Sequence, residues 1–289
     1  MKKLFILSFL LIFQFGISQN ISEKSLLWEI SGKNLEKPSY LYGTIHIACQ
    51  GDVLMTDELQ SAFDKTEILA LEADMSDPGL QSKMFQISFA NDGKKMSDRL
   101  SPEVVTKLDS LFKPKLGAGF AAFEMLSPQV FLAQISLLGL DCPMDLGYDM
   151  IFMNLAKDEG KEIVGLESID TQIDALFSQS NEDAATAIAY LAENLDELKS
   201  ETSKMLKLYK EKDVQGLYEM TKESFEDPKY PQSDIKVFLD DRNISWIPVI
   251  EKLIAEKPTF IAVGAAHLAG ENGVINLLKN RGYTLKPLQ

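Results

Sequence analysis

The chain has 289 residues, 45% of them hydrophobic and 25% charged, which supplies a sizeable core and excludes a disordered or fibrous polypeptide. Its net charge of −14 opposes phosphate backbones and anionic lipid. No basic patch overrides that charge, so nucleic-acid binding is disfavoured.

The first residues have the form of a secretory signal peptide. Lys2 and Lys3 precede an almost wholly apolar run, Leu4 to Phe15, and Gly16 and Ser18 are small residues two positions apart. The run is shorter than the ~20 residues a membrane helix needs. No cysteine follows it, which argues against a lipoprotein. The expectation is a signal over residues 1–18, cut near Ser18-Gln19, and a periplasmic or secreted product with no stable membrane span. Of 29 basic residues two lie in this segment, so the remainder carries a net charge near −16. The two cysteines, Cys49 and Cys142, could pair in such a compartment. Their spacing leaves two separate thiols equally open.

Ser25–Ser31 and Ser39–His46 read as strands rich in Leu, Ile, Tyr and Trp, parted by a turn over Asn34–Pro38. Thr56-Asp57-Glu58 opens a helix with Leu59, Ala62 and Phe63 on one face. Glu67–Ala73 is a short apolar run carrying Glu72 near its end, and reads as a buried strand. Strand, helix, strand is the pattern of a parallel βαβ unit. From Asp77 the pattern turns helical. Ser101-Pro102 and Ser127-Pro128 look like capped helix starts, and Asp145 precedes another helix. Glu162–Glu167 reads as a strand. Asn181–Lys212 reads as a long amphipathic, solvated helical layer, and Asp234–Glu256 continues in helices. Pro258–Val263 is an apolar strand running into Gly264, followed by a helix over Gly273–Lys279 and a strand over Tyr283–Leu288. Strands near the termini with helices between predict one α/β domain over residues 19–289. It would have a largely parallel or mixed sheet, flanking helices and a helical insertion over about 77–256.

Ligands in parallel sheets bind beyond the carboxyl ends of the strands. His46, Glu72, Glu167 and His267 all fall at such ends. The only two histidines, His46 and His267, each close a Gly-x-x-His motif, beginning at Gly43 and Gly264. Glycine there lets backbones approach closely. One histidine at a strand end is more often structural than functional, but two matched copies favour function. Two imidazoles with one or two carboxylates suit a divalent metal ion or, equally, a metal-free acid/base pair. A carboxylate ending a buried strand, as Glu72 does, is costly without a partner. Glu167 is weaker, because acidic residues are common at helix starts. There is no Gly-x-Ser-x-Gly elbow, His-Glu-x-x-His helix, phosphate-binding Walker loop or dinucleotide glycine fingerprint.

Read together, several short segments resemble the TraB/PrgY/GumN family, and its GumN-like branch best. They are Tyr40 to His46, Leu69-Ala70-Leu71-Glu72, Gly139-Leu140-Asp141 with Asp145, Lys161 to Gln172, Arg242-Asn243 and Val263 to Gly270. The resemblance spans about Leu27 to Leu288. It implies a fold shared with ChaN-like and erythromycin esterase-like proteins, and a common site for His46, Glu72 and His267. Arg242, otherwise a surface charge, becomes a cation that orients a carboxylate or binds an oxyanion. The family includes the TIKI proteases, which are metal-dependent. The candidate catalytic residues are therefore His46, Glu72, His267 and Arg242. The candidate metal ligands are His46, Glu72 and His267, supported by Gly43, Gly264 and Glu167. The first functional expectation is a metal-dependent hydrolase, peptidases included, with a divalent ion and a peptide or small-molecule substrate. The alternatives are a non-catalytic pocket for peptide, metal or haem, and a metal-free esterase-type hydrolase with His46 as base. The sequence leaves the oligomeric state open.

Export is checked by mass spectrometry of protein made in a secreting host. An N-terminus near Gln19 is expected, and a soluble product retaining Met1 would contradict the signal.

Overall fold

In the computed structural model, the described residues are 20–289 apart from 47, 50, 52–54, 75–78, 141, 143–146, 178 and 228–233. The proposed signal, Asp77, Asp141 and Asp145 lie outside them. Six strands form one sheet: β1 (Leu27–Ser31), β2 (Ser39–Thr44), β3 (Ile68–Ala73), β4 (Glu162–Glu167), β5 (Thr259–Gly264) and β6 (Thr284–Leu288), in the order β4-β3-β5-β2-β1-β6. The four strands β4, β3, β5 and β2 run parallel, while β1 pairs antiparallel with both β2 and β6. The sheet is therefore mixed, in an α/β fold.

Burial explains the order. Every residue of β2 and β3, and all but the last of β5, are buried, as near-continuous apolar runs require when helices cover both faces. The edge strand β4 is mostly part-exposed. Although β2 and β3 are joined through one helix, they are not neighbours: β5 lies between them and pairs with both. This parallel trio delivers three carboxyl ends to one edge, which gathers the site.

The helices are α1 (Asp57–Asp64), α2 (Leu80–Ile87), α3 (Pro102–Leu116), α4 (Pro128–Ser136), α5 (Tyr148–Glu159), α6 (Ile169–Leu176), α7 (Asn181–Glu193), α8 (Leu195–Lys210), α9 (Val214–Glu226), α10 (Asp241–Glu256) and α11 (Val274–Asn280). The hydroxyls of Thr56, Ser101 and Ser127 cap α1, α3 and α4, as their sequence positions suggest. Two expectations need correction. The β2 strand stops at Thr44 and not at His46, so the imidazole sits on the turn beyond the strand. The stretch Asn181–Lys212 is two helices broken at Asn194, not one solvated layer. There α7 buries Ala184, Ile188 and Leu191, and it shares a second hydrophobic cluster with Leu108 and Phe112 of α3 and Phe131 of α4. Alanines allowed that close approach while lowering the apparent hydrophobicity of the face. Among the described residues, no helix is long and apolar enough to cross a membrane.

Cys49 and Cys142 form a disulfide, with Cα atoms 5.6 Å apart and a sequence separation of 93. The bridge joins the segment after β2 to the segment before α5. Closing so long a loop typically stabilises a fold by about 2–5 kcal/mol. Urea unfolding of Cys142→Ser should show a loss in that range. A loss below about 1 kcal/mol would mean that the bridge contributes little to stability.

Candidate functional site

At the carboxyl edge, Arg242 of α10 is the centre of a buried polar cluster. Its Nη2 lies 2.7 Å from Glu72 Oε2 and 2.6 Å from Glu167 Oε1, and its Nε lies 3.1 and 3.2 Å from the two Glu167 oxygens. Nη1 donates to the Phe238 carbonyl at 3.2 Å and stands 3.3 Å from His267 Nε2. Phe238 belongs to the π-helical turn Lys236–Asp240 that leads into α10. The five N–H groups of the guanidinium thus all face acceptors within the protein. Among these contacts, Arg242 holds the Glu72 carboxylate from one side.

Glu72 accepts two further hydrogen bonds. Gln172 of α6 donates to Oε2 at 3.1 Å, and the Gly264 backbone N–H donates to Oε1 at 2.8 Å. A β-carbon on residue 264 would stand 3.3 Å from that same oxygen and 3.9 Å from His46 Nε2, so glycine keeps this corner open. At residue 43 a β-carbon would come within 3.0 Å of the Ala265 Cα, a backbone contact with little room to yield. Burial alone would raise the Glu72 pKa, but the charges of His267, Arg242 and His46 and the Gly264 N–H hold it well below the usual carboxylate range. Of these cations Arg242 is the dependable one, because His267 is itself held neutral.

His267 lies on the short 3₁₀ turn Ala265–His267 that follows β5. Its Nδ1 is 2.6 Å from Asn243 Oδ1. The Asn243 amide nitrogen donates to the carbonyls of His267 and Asn272, so its oxygen must be the acceptor and His267 Nδ1 carries the proton. The Nε2 lone pair then faces Arg242 Nη1, with Glu72 Oε1 3.7 Å away. Burial pushes the His267 pKa down to about 4, with the attraction of Glu72 opposed by the positive charge of Arg242. Trp246 packs on the ring at a centroid distance of 4.6 Å, and its indole N–H donates to Glu167 Oε2 at 3.0 Å.

His46 is different in kind. Its side chain is 62% exposed, and its Nδ1 lies 2.8 Å from Asp149 Oδ2 in the first turn of α5. Thr44 donates to the other Asp149 oxygen. A β-carbon on Gly147 would come within 2.9 Å of the His46 carbonyl oxygen, so glycine at the α5 N-cap allows this approach. Desolvation works against charge on His46, but the hydrogen bond and charge of Asp149 and the charge of Glu72 outweigh it and raise the pKa to about 9. With so exposed a side chain, water screens that attraction, and the upward direction is what the geometry supports.

The structure thus gathers His46, Glu72, His267, Arg242, Glu167, Gly43 and Gly264 at one sheet edge. His46 and Glu72 line a cleft of about 380 Å³ between that edge and helices α2, α5 and α6, whereas His267 lies behind Glu72 and does not line it. Sequence reasoning passed over Asp149, Asn243, Gln172 and Gly147 as site residues. An acidic residue in a first helical turn and an asparagine beside an arginine are too common to stand out.

A divalent ion is the cofactor expected here. Glu72 Oε1 and His267 Nε2, 3.7 Å apart, could both bond one ion at about 2.0–2.2 Å. Arg242 already faces both groups, so an ion there would stand close beside an existing positive charge. Among the described residues, no three His, Cys, Asp or Glu side chains are grouped closely enough to hold a metal. The present arrangement therefore fits a metal only if the guanidinium retreats.

Fold and site together define an α/β protein with an imidazole pair and an arginine-held carboxylate at the carboxyl edge of a mixed sheet. The chain matches the model of the TraB/PrgY/gumN family over residues 26–287 and belongs to that family. No curated protein and no solved structure matches it.

The buried groups make stability depend on acidity with a definite sign. His267 and Glu72 both have folded pKa values below their unfolded ones, so the unfolded chain binds more protons. Their contribution is complete above the unfolded values. It is lost as pH falls, through 6.5 to about 4 for His267 and further below 4.5 for Glu72. His46 acts oppositely between 6.5 and about 9, weakly because water reaches it. Thermal unfolding should therefore show Tm falling between pH 6.5 and 4, and falling less in His267→Gln. A Tm independent of pH over that range would contradict a buried neutral His267.

Proposed function

We propose that this protein is an exported hydrolase in which His46, backed by Asp149, takes a proton from the attacking water. The observation that carries this reading is the 2.8 Å contact of His46 Nδ1 with Asp149, beside a cleft that Glu72 also lines. Asp149 accepts the Nδ1 proton of the neutral ring and so places the lone pair on Nε2, near the Gly264 corner. As Nε2 gains a proton, Asp149 and the ionised Glu72 stabilise the imidazolium, which then protonates the leaving group. Arg242 and His267 keep Glu72 ionised and aimed. The Cys49–Cys142 bridge supports an oxidising compartment, in agreement with the signal-like N-terminus.

A second reading is the metal-dependent hydrolase or peptidase, favoured by the 3.7 Å spacing of Glu72 and His267. There the two groups, with His46, would hold an ion that supplies an acidified water.

Hydrolysis of activated esters and a peptide library separates the readings. His46→Gln should lower kcat by about 10²–10⁴ with the fold retained. Activity should rise with pH along a limb lying between 6.5 and about 9, the side on which His46 loses its proton, and Asp149→Asn should move that limb downward. Chelation should leave the rate unchanged. Loss on chelation with recovery on adding a divalent ion would transfer the mechanism to the metal, and turnover of no substrate would leave a binding pocket.

A further inference from the structure

The cleft is chemically lopsided. Its polar groups, His46, Glu72, Asp149 and Gln172, are outnumbered by apolar side chains, among them Met84 of α2, Met150 and Met153 of α5, Ile173 and Leu176 of α6, and Phe177. Three of these are notably open to water: Met84 is 39% exposed, Met150 38% and Leu176 45%. The exposed apolar surface comes from three different helices yet faces one concavity that ends at the reacting groups. Large apolar side chains left in water around a cavity mark a place where an apolar group is received.

We propose that this cleft is the subsite for an uncharged apolar group of the substrate, joined to the bond that is cleaved at the His46–Glu72 end. The occupant is an aliphatic or aromatic acyl group or side chain. An anionic occupant is opposed twice, and any charged one at least by the walls. The apolar walls give a buried charge no partner, and Asp149 and Glu72 at the inner end repel an anion. Three of the wall residues are methionines, whose unbranched, polarisable side chains repack around different shapes. The subsite therefore selects for apolar bulk and length more than for one outline. It rests on the hydrolase reading for the identity of the bond, but not for the binding itself.

Two measurements on the full mature chain keep these apart. Calorimetric binding of octanamide and acetamide reads the subsite without turnover. Octanamide should bind at least tenfold more tightly, and Leu176→Asp and Met150→Asp should each remove most of that advantage. Both positions are partly exposed, so folding should survive, and circular dichroism checks it. Hydrolysis of p-nitrophenyl esters from acetyl to octanoyl reads the coupling to chemistry. kcat/KM should rise up to about fourfold per added methylene, the value of burying one such group. It should level off where the chain fills the cleft. Octanamide binding no tighter than acetamide, or keeping its advantage in both variants, would overturn the subsite. Tight octanamide binding sensitive to both variants, with no ester cleaved, would support the subsite and overturn the hydrolase reading.

Discussion

The site depends on one buried arrangement: the Arg242 guanidinium held between the carboxylates of Glu72 and Glu167. Taking such charges out of water is expensive, and removing one partner from a buried pair typically costs about 3–5 kcal/mol. The cost is met because nearly every donor and acceptor is satisfied. Glu72 receives Gln172 and the Gly264 N–H, Glu167 receives Trp246, and Arg242 spends its last donors on Phe238 and His267. Among the described residues, the one buried side-chain atom without a partner is Arg99 Nε, on a different part of the chain. From across the corner His46 experiences the negative charge of Glu72, partly offset by the positive charge of Arg242.

The fold brings this about through order more than through proximity in the chain. Inserting β5 between β2 and β3 places the turn after β5 beside Glu72, so a backbone N–H from one Gly-x-x-His motif reaches the carboxylate of another strand. Helix α10 then presents three residues on its buried face, Arg242, Asn243 and Trp246, each bonded to or packed on a different side of the cluster. The two histidines, alike in motif, become unlike in chemistry. His267 is enclosed, neutral and fixed in tautomer by Asn243, while His46 is open to water and drawn toward the charged state by Asp149. The disulfide adds a covalent tie between the segments that carry these two partners, since Cys49 follows His46 and Cys142 precedes Asp149.

The strands were legible because the buried runs Leu69–Leu71 and Phe260–Val263 are too short for helices and too apolar for loops, and because glycine and histidine punctuate their ends. The gathering of His46, Glu72 and His267 at one edge followed from parallel strands ending alike. What was not legible has a common cause. Asp149, Asn243 and Gln172 act through hydrogen bonds whose partners lie 103, 24 and 100 residues away, and no local pattern marks such pairs. The break at Asn194 was hidden because helical periodicity continues on both sides of it. Arg242 needed the family resemblance to be noticed, since a buried arginine and a surface arginine are the same letter until their neighbours are known.

Arg242 faces the His267 lone pair, and Asp149 raises the basicity of His46. The chain has only two imidazoles, so nitrogen-15 NMR of histidine-labelled protein can follow both as pH is varied. One ring should stay locked as the neutral Nδ1–H tautomer down to near pH 4, and the second should give up its proton only above pH 6.5. Two rings titrating together near 6.5, or a His267 resonance that shifts when a chelator is added, would contradict this arrangement.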